Sequence, residues 1–134
     1  MEQQKIVLRY VDGKILKGYS LDFNPTRPFF HLQMQSQAPG NQPLKIELKD
    51  LKAVFFVKTY EGNKHHKKRK GFLPTDRLQG RKVEVTFVDD EVIQGATMGY
   101  DPQRLGFFLL PADSDSNNVR IFVVSSAVKS FRFL

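Results

Sequence analysis

The sequence contains no cysteine and no tryptophan. Without thiols the chain can form neither disulfides nor thiolate metal sites, and it has no cysteine nucleophile. It also lacks any run of about 18 apolar residues, so no transmembrane segment is expected. Its first residues lack the apolar stretch of a signal peptide. These absences favour a cytoplasmic location.

What the chain does contain is typical of a globular protein. Its 134 residues are 40% hydrophobic and 26% charged, which suits one ordinary domain or two very small ones. Lysine and arginine number 21 against 14 acidic residues, for a net charge of +7. A basic excess of this size bears on possible anionic partners and not on the fold.

The two ends of the chain resemble each other. Sliding the sequence on itself by 77 positions aligns residues 5–57 with residues 82–134 without a gap, and eleven of the 53 pairs are identical. The shared positions preserve glycine, proline and apolar phase together, which predicts an internal duplication. The identical pairs include Gly18 and Gly95, Pro25 and Pro102, Arg27 and Arg104, and Phe30 and Phe107.

Each copy has the residue pattern of short β-strands. Ile6, Leu8 and Tyr10 alternate with their neighbours at the period of a half-buried strand, and the turn pair Asp12-Gly13 follows. In the second strand the apolar phase changes at Gly18, which predicts a bulge or sharp bend there. The inward-facing set is then expected to be Leu16, Tyr19, Leu21 and Phe23.

The predicted fold class is all-β, with five short antiparallel strands in each copy curling into a small barrel. Residues 1–57 would form the first barrel, 58–81 a basic linker and 82–134 the second barrel. Helix is expected only as short turns near residues 50–52 and 75–78. Residues 54–57 are apolar on both faces, so Phe55 is expected to cover the other barrel or a second chain.

A known family shares part of this pattern. Asp12-Gly13, four residues, Gly18, four residues and Phe23 resemble the first motif of Sm and Sm-like proteins, and Gly95 and Tyr100 repeat the spacing. The resemblance implies tandem five-stranded, SH3-like barrels of a kind that forms rings and often binds RNA. The family's base-contacting asparagine is replaced by Pro28 and Leu105. The whole chain also resembles duplicated bacterial proteins of unassigned function.

The positive charge is concentrated between the copies. Residues 58–81 carry eight basic and two acidic side chains, or +6 of the total of +7. Clustered cations neutralise phosphates, and they would also suit an anionic lipid surface or an acidic protein. The alternative is a solvated spacer that keeps two barrels apart. The residues proposed to contact nucleic acid here are Lys64, Lys67, Lys68, Arg69 and Lys70.

Four further residues are candidates for contact with bases. Arg27 and Arg104 recur at equivalent turns between the second and third strands, beside the aromatic residues Phe23 and Tyr100. Arginine can stack on or pair with an anionic ligand, and aromatic rings can stack on bases. The alternative is structural, with the arginines bonding turn carbonyls or bridging the barrels.

Catalytic and metal-binding patterns are weak. His65 and His66 are adjacent and have no cysteine to support them, so no metal or cofactor is predicted. Ser125-Ser126 has no histidine near it in the chain, and the prediction is that the protein is not an enzyme. The first functional hypothesis is a non-catalytic module that binds RNA or single-stranded nucleic acid. The alternative is a protein-interaction or regulatory scaffold that uses barrel edge strands, with self-association through strands four or five.

Overall fold

A computed structural model describes residues 4–35, 42–60, 80–101, 103–112 and 117–134. The described chain is all-β, as predicted, and its 3-10 turns Leu48–Asp50 and Ser125–Ala127 directly precede the fifth and tenth strands. The strands are β1 Lys5–Tyr10, β2 Ile15–Tyr19, β3 Phe29–Met34, β4 Leu44–Glu47, β5 Leu51–Val57, β6 Arg81–Phe87, β7 Val92–Thr97, β8 Gly106–Pro111, β9 Asn118–Val124 and β10 Val128–Phe133.

The ten strands form one open antiparallel sheet in the order β10-β6-β7-β8-β9-β5-β1-β2-β3-β4. The prediction of two separately closed barrels is therefore wrong. One edge of β5 pairs with β1 and its other edge pairs with β9, so the sheet runs without a break from the first half of the chain into the second. Strands β4 and β10 are the outer edges of this sheet.

The two halves of the sheet share one internal order. The first half runs β5-β1-β2-β3-β4 and the second runs β10-β6-β7-β8-β9. Backbone hydrogen bonds outside the strand ladders also recur: Leu48 N–H donates to Pro28 O over 2.9 Å, and Ser125 N–H donates to Leu105 O over 2.9 Å. Equivalent strands are thus joined by equivalent turns.

Gly18 and Gly95 permit a close approach of strands rather than a bulge. β1 and β2 pair in unbroken register through Gly18, so the predicted bulge is absent from that ladder. A Cβ on Gly18 would lie 2.1 Å from the carbonyl oxygen of Gln33, and one on Gly95 would lie 2.3 Å from that of Leu110. Only a residue without a side chain fits where β3 lies this close to Gly18 of β2 and β8 lies this close to Gly95 of β7.

The expected inward position of Leu21 is also wrong, because 84% of this residue is exposed. β2 ends at Tyr19, and the chain bends at Leu21 and Asp22 instead of continuing the strand's alternation. Met98, the equivalent residue of the second half, is likewise 77% exposed. Strand periodicity stops predicting side-chain direction where the strand itself stops.

Strand β5 is buried on both faces, and this burial joins the halves. Val54 and Phe56 pack into a core formed mainly by the first half, while Ala53, Phe55 and Val57 pack into the core of the second half. The expectation that Phe55 covers the other half is confirmed. Because both faces and both edges of β5 are occupied, it is the central element of the sheet.

An ion cluster around the buried Lys52 side chain adds a second link between the halves. The Nζ of Lys52 lies 2.8 Å from Oδ2 of Asp89 and 2.7 Å from Oε1 of Glu91, in the β6–β7 turn. The Lys52 side chain is only 7% exposed, and its ammonium also sits 4.8 Å from the ring centre of Phe87. The hydrogen bond from Lys52 holds the pKa of Asp89 below its ordinary value.

Candidate nucleic-acid interface

A groove of about 1020 Å³ lies where the β2–β3 turn of the first half meets the second half of the sheet. Its walls come from this turn, from the β7–β8 turn and from strands β8 and β9. The lining residues that bear on function are Pro25, Thr26, Met98, Gly99, Tyr100, Asp101, Arg104, Phe108, Arg120 and Phe122. The continuous sheet thus brings together two turns that are far apart in sequence.

Side-chain caps give the two turns the same shape. Asn24 Oδ1 accepts from the backbone N–H of Thr26 over 2.9 Å, and Asp101 Oδ1 accepts from that of Gln103 over 2.9 Å. The backbone N–H of the arginine that follows then closes each turn onto the carbonyl of its capping residue, over 3.1 Å in both cases. Asx turns of this kind are a local preference of asparagine and aspartate.

The predicted arginines are exposed on these turns. Arg104 lines the groove, and 74% of its side chain is exposed, with Nε 3.8 Å from Oδ2 of Asp101. An exposed pair at this distance contributes little free energy, so the guanidinium is available to an anion. Arg27 is exposed directly after Thr26, which lines the same groove.

The two predicted aromatic residues have packing roles. The ring of Phe23 makes edge contacts with the rings of Phe30, Phe56 and Phe122 at centroid distances of 5.1 to 5.5 Å. The ring of Tyr100 stacks on Phe131 at 3.8 Å, and its other neighbour is Phe107. Contact of Phe23 and Tyr100 with bases stays a prediction, and for Tyr100 one face of the ring is already covered.

Arg120 is a groove residue that sequence reasoning missed. It is exposed on β9 directly opposite Phe56 of β5, with its guanidinium carbon 4.3 Å from the ring centre of Phe56 and 4.7 Å from that of Phe108. The equivalent residue of the first half is Pro43. Comparison of the repeats therefore concealed it, and the available signal was a single cation in a strand that is apolar apart from Asn118 at its start.

A histidine–aspartate pair lies elsewhere, on the β3 side of the first half. His31 Nδ1 is 2.7 Å from Oδ2 of Asp22, whose Oδ1 accepts from the backbone N–H of His31 and from the Ser20 hydroxyl. Partial burial raises the pKa of Asp22, but these hydrogen bonds outweigh it and hold that pKa below the ordinary value. Within the described ranges, no group of three or more His, Asp or Glu side chains could hold a metal ion.

The five basic linker candidates lie outside the described residues, within positions 61–79. These are Lys64, Lys67, Lys68, Arg69 and Lys70. Their role stays a prediction, as does the division of the chain at residues 57 and 82. No helix in the described part of the chain is long and apolar enough to cross a membrane.

A family model matches residues 2–134 of the chain, and its description reads family of unknown function (DUF6982). Because the match covers nearly the whole sequence, the chain belongs to this family. No curated protein and no solved structure is significantly similar to it.

Proposed function

We propose that this member of a family of unknown function is a non-catalytic module that binds RNA or another single-stranded nucleic acid. The groove between the halves carries the proposal, because it combines exposed arginines with aromatic and backbone walls. Arg104 and Arg120 line it and Arg27 adjoins it, whereas Asp101 contributes one negative charge. The local balance is positive, as a phosphate-binding surface requires.

The chemistry of the walls favours unpaired bases. Phe108 is half-buried in the groove beside Arg120, and base–aromatic stacking is available to every base whatever its sequence. A duplex keeps its base faces stacked on one another, so only single strands can use such a surface. The basic residues of the linker, from Lys64 to Lys70, would add further phosphate contacts.

The proposal extends to the origin of the fold. An Sm-like unit duplicated within one chain accounts for the identical strand order of the halves and for the repeated turn hydrogen bonds. In this view the β5–β9 pairing links two units edge to edge. The equivalent glycines Gly18 and Gly95 make the same close strand approach in each unit, which supports the idea.

Salt-dependent binding tests the function. A short labelled RNA is expected to bind at low salt, and affinity should fall steeply as salt rises. Arg104→Gln is expected to weaken binding and to reduce the salt slope by about one unit. Lys14→Gln is the matched control, because Lys14 lies in the β1–β2 turn at the opposite end of β2. Absence of binding even at low salt would contradict the proposal.

The linker has its own test. Replacing Lys67, Lys68, Arg69 and Lys70 with glutamate is expected to abolish most of the affinity, since four contacts become repulsive. Equal loss of affinity for RNA and for vesicles containing anionic lipid would show an unspecific polyanion site. Unchanged RNA affinity would leave the groove as the binding surface and assign the linker to a spacer role.

Strand addition at the sheet edges is less well supported. At the β5–β9 union Phe55 and Phe122 supply apolar contacts, but their equivalents on the outer edges are Arg132 and Lys45. Charged side chains on edge strands oppose the addition of further strands. The scaffold role and self-association through strands four or five stay predictions, and light scattering at high protein concentration tests them.

A further inference from the structure

We infer that Arg120 is a stacking platform, on which the open side of its guanidinium receives one unpaired nucleobase. This inference rests on the proposed function and identifies Arg120 as the residue that stacks on the flat face of a base. The sheet places Arg120 where a base could reach it. Arg120 lies on β9 opposite Phe56 on β5, where the two halves pair, and it lines the groove.

The distances show which side of Arg120 is covered. The ring centres of Phe56 and Phe108 are 6.2 Å apart, while the guanidinium carbon lies 4.3 and 4.7 Å from them. If the rings sandwiched the guanidinium, their centres would be separated by nearly the sum of those two distances. The guanidinium carbon instead lies at the corner of a triangle and not between the rings, and the Arg120 side chain is exposed and lines the groove.

This arrangement suits a base better than a phosphate alone. Guanidinium is planar and weakly hydrated, so it stacks on aromatic faces while keeping its charge. Two phenylalanine rings already restrict the side chain, and Phe56 is itself buried. Binding a base on the outer face therefore costs less side-chain entropy than it would with a free arginine.

Among the described residues, Arg120 is the arginine that contacts two phenylalanine rings, whereas Arg9 and Arg81 contact one ring each. At the equivalent place in the first half, Pro43 replaces Arg120 and His31 replaces Phe108. The guanidinium and the second phenylalanine ring therefore have no counterpart there. We expect no equivalent stacked base in the first half, even though both halves carry an arginine at the β2–β3 or β7–β8 turn.

A charge-conserving substitution separates stacking from charge. Arg120→Lys keeps the positive charge but loses the planar group, and Arg9→Lys makes the same change at an exposed arginine that contacts Phe55 but does not line the groove. With a labelled single-stranded oligonucleotide, Arg120→Lys is expected to lower affinity about tenfold, a typical value for one stacked base. Its salt slope should equal that of wild type. Arg9→Lys should leave affinity within about twofold.

A measurement on the unmodified protein guards against a folding defect in the variant. An abasic oligonucleotide with the same phosphates should bind wild type about tenfold more weakly than the intact oligonucleotide. If no single strand binds to wild type, the proposed function fails. If single strands bind, but folded Arg120→Lys or the abasic oligonucleotide binds as well as its reference, the platform is wrong and the function stands.

Discussion

Removing the charge of Lys52 tests whether the ion cluster between the halves stabilises the fold. In Lys52→Met the apolar stem is retained and the ammonium is lost, so the change isolates the contacts to Asp89 and Glu91. Lys129 is the equivalent lysine of the second half, but 59% of its side chain is exposed and it binds only Asp90. Lys129→Met is therefore the matched control.

The expected magnitude follows from burial. Removing one partner of a fully buried ion pair costs about 3–5 kcal/mol, because a charge is left without compensation. Here the carboxylate side chains are 32% and 47% exposed, so water can solvate them once Lys52 is gone. We expect a loss of about 1–3 kcal/mol in the free energy of unfolding, in line with a charged hydrogen-bonding group.

Urea denaturation followed by circular dichroism measures this difference. Lys52→Met should lower the midpoint at unchanged slope, and Tm should fall by about 4 °C per kcal/mol for a chain of this size. Lys129→Met should stay close to wild type. Equal effects of the two substitutions, or a Lys52→Met variant as stable as wild type, would refute the argument that burial gives this cluster its strength.

Three other predictions concern stability. The pKa of Asp89 is lowered by folding, so its contribution is present above about pH 4 and is lost as pH falls through the folded-state pKa; Asp89→Asn should flatten acid denaturation curves in that range. Gly18→Ala and Gly95→Ala should each destabilise by about 2 kcal/mol or more in urea, because the new Cβ would overlap a carbonyl, whereas Gly99→Ala, with nothing within 4 Å, should be neutral. Phe55→Ala should lower the free energy of unfolding by about 3–4 kcal/mol, because Phe55 is buried. Phe29→Ala, at a 37% exposed position, should lower it clearly less. Similar losses at both positions would contradict the central role of β5.

The sequence predicted local structure better than long-range pairing. The Asp12-Gly13 turn and the two-sided apolar run around Phe55 have the expected counterparts in the sheet. The alternation at Ile6 and Leu8 correctly predicts strand β1, but not its half-buried character, because Val7 is buried as well. Each of these signals depends on neighbouring residues. The strand that pairs with the second edge of β5 decides whether the halves close separately or share one sheet. That strand is β9, and no periodicity in the sequence indicates this pairing.

The candidate site shows the same division. The equivalence of Arg27 and Arg104 was visible because both stand in turns with matching sequences. The packing role of Phe23 could not be inferred from the sequence, since an aromatic residue after a strand suits a core as well as a ligand. Comparison of the repeats does not point to Arg120, and its partners Phe56 and Phe108 come from β5 and β8 and meet only in the folded sheet.

The double-sided burial of β5 also has a consequence for biosynthesis. The ribosome completes β5 well before it makes β9, and at about 5–20 residues per second the intervening stretch takes several seconds. During that interval a strand with Phe55 on its surface and one unpaired edge awaits its neighbour, which is the kind of intermediate that chaperones capture. Nascent chains arrested between β5 and β9 should therefore aggregate or recruit chaperones far more than chains released after β10.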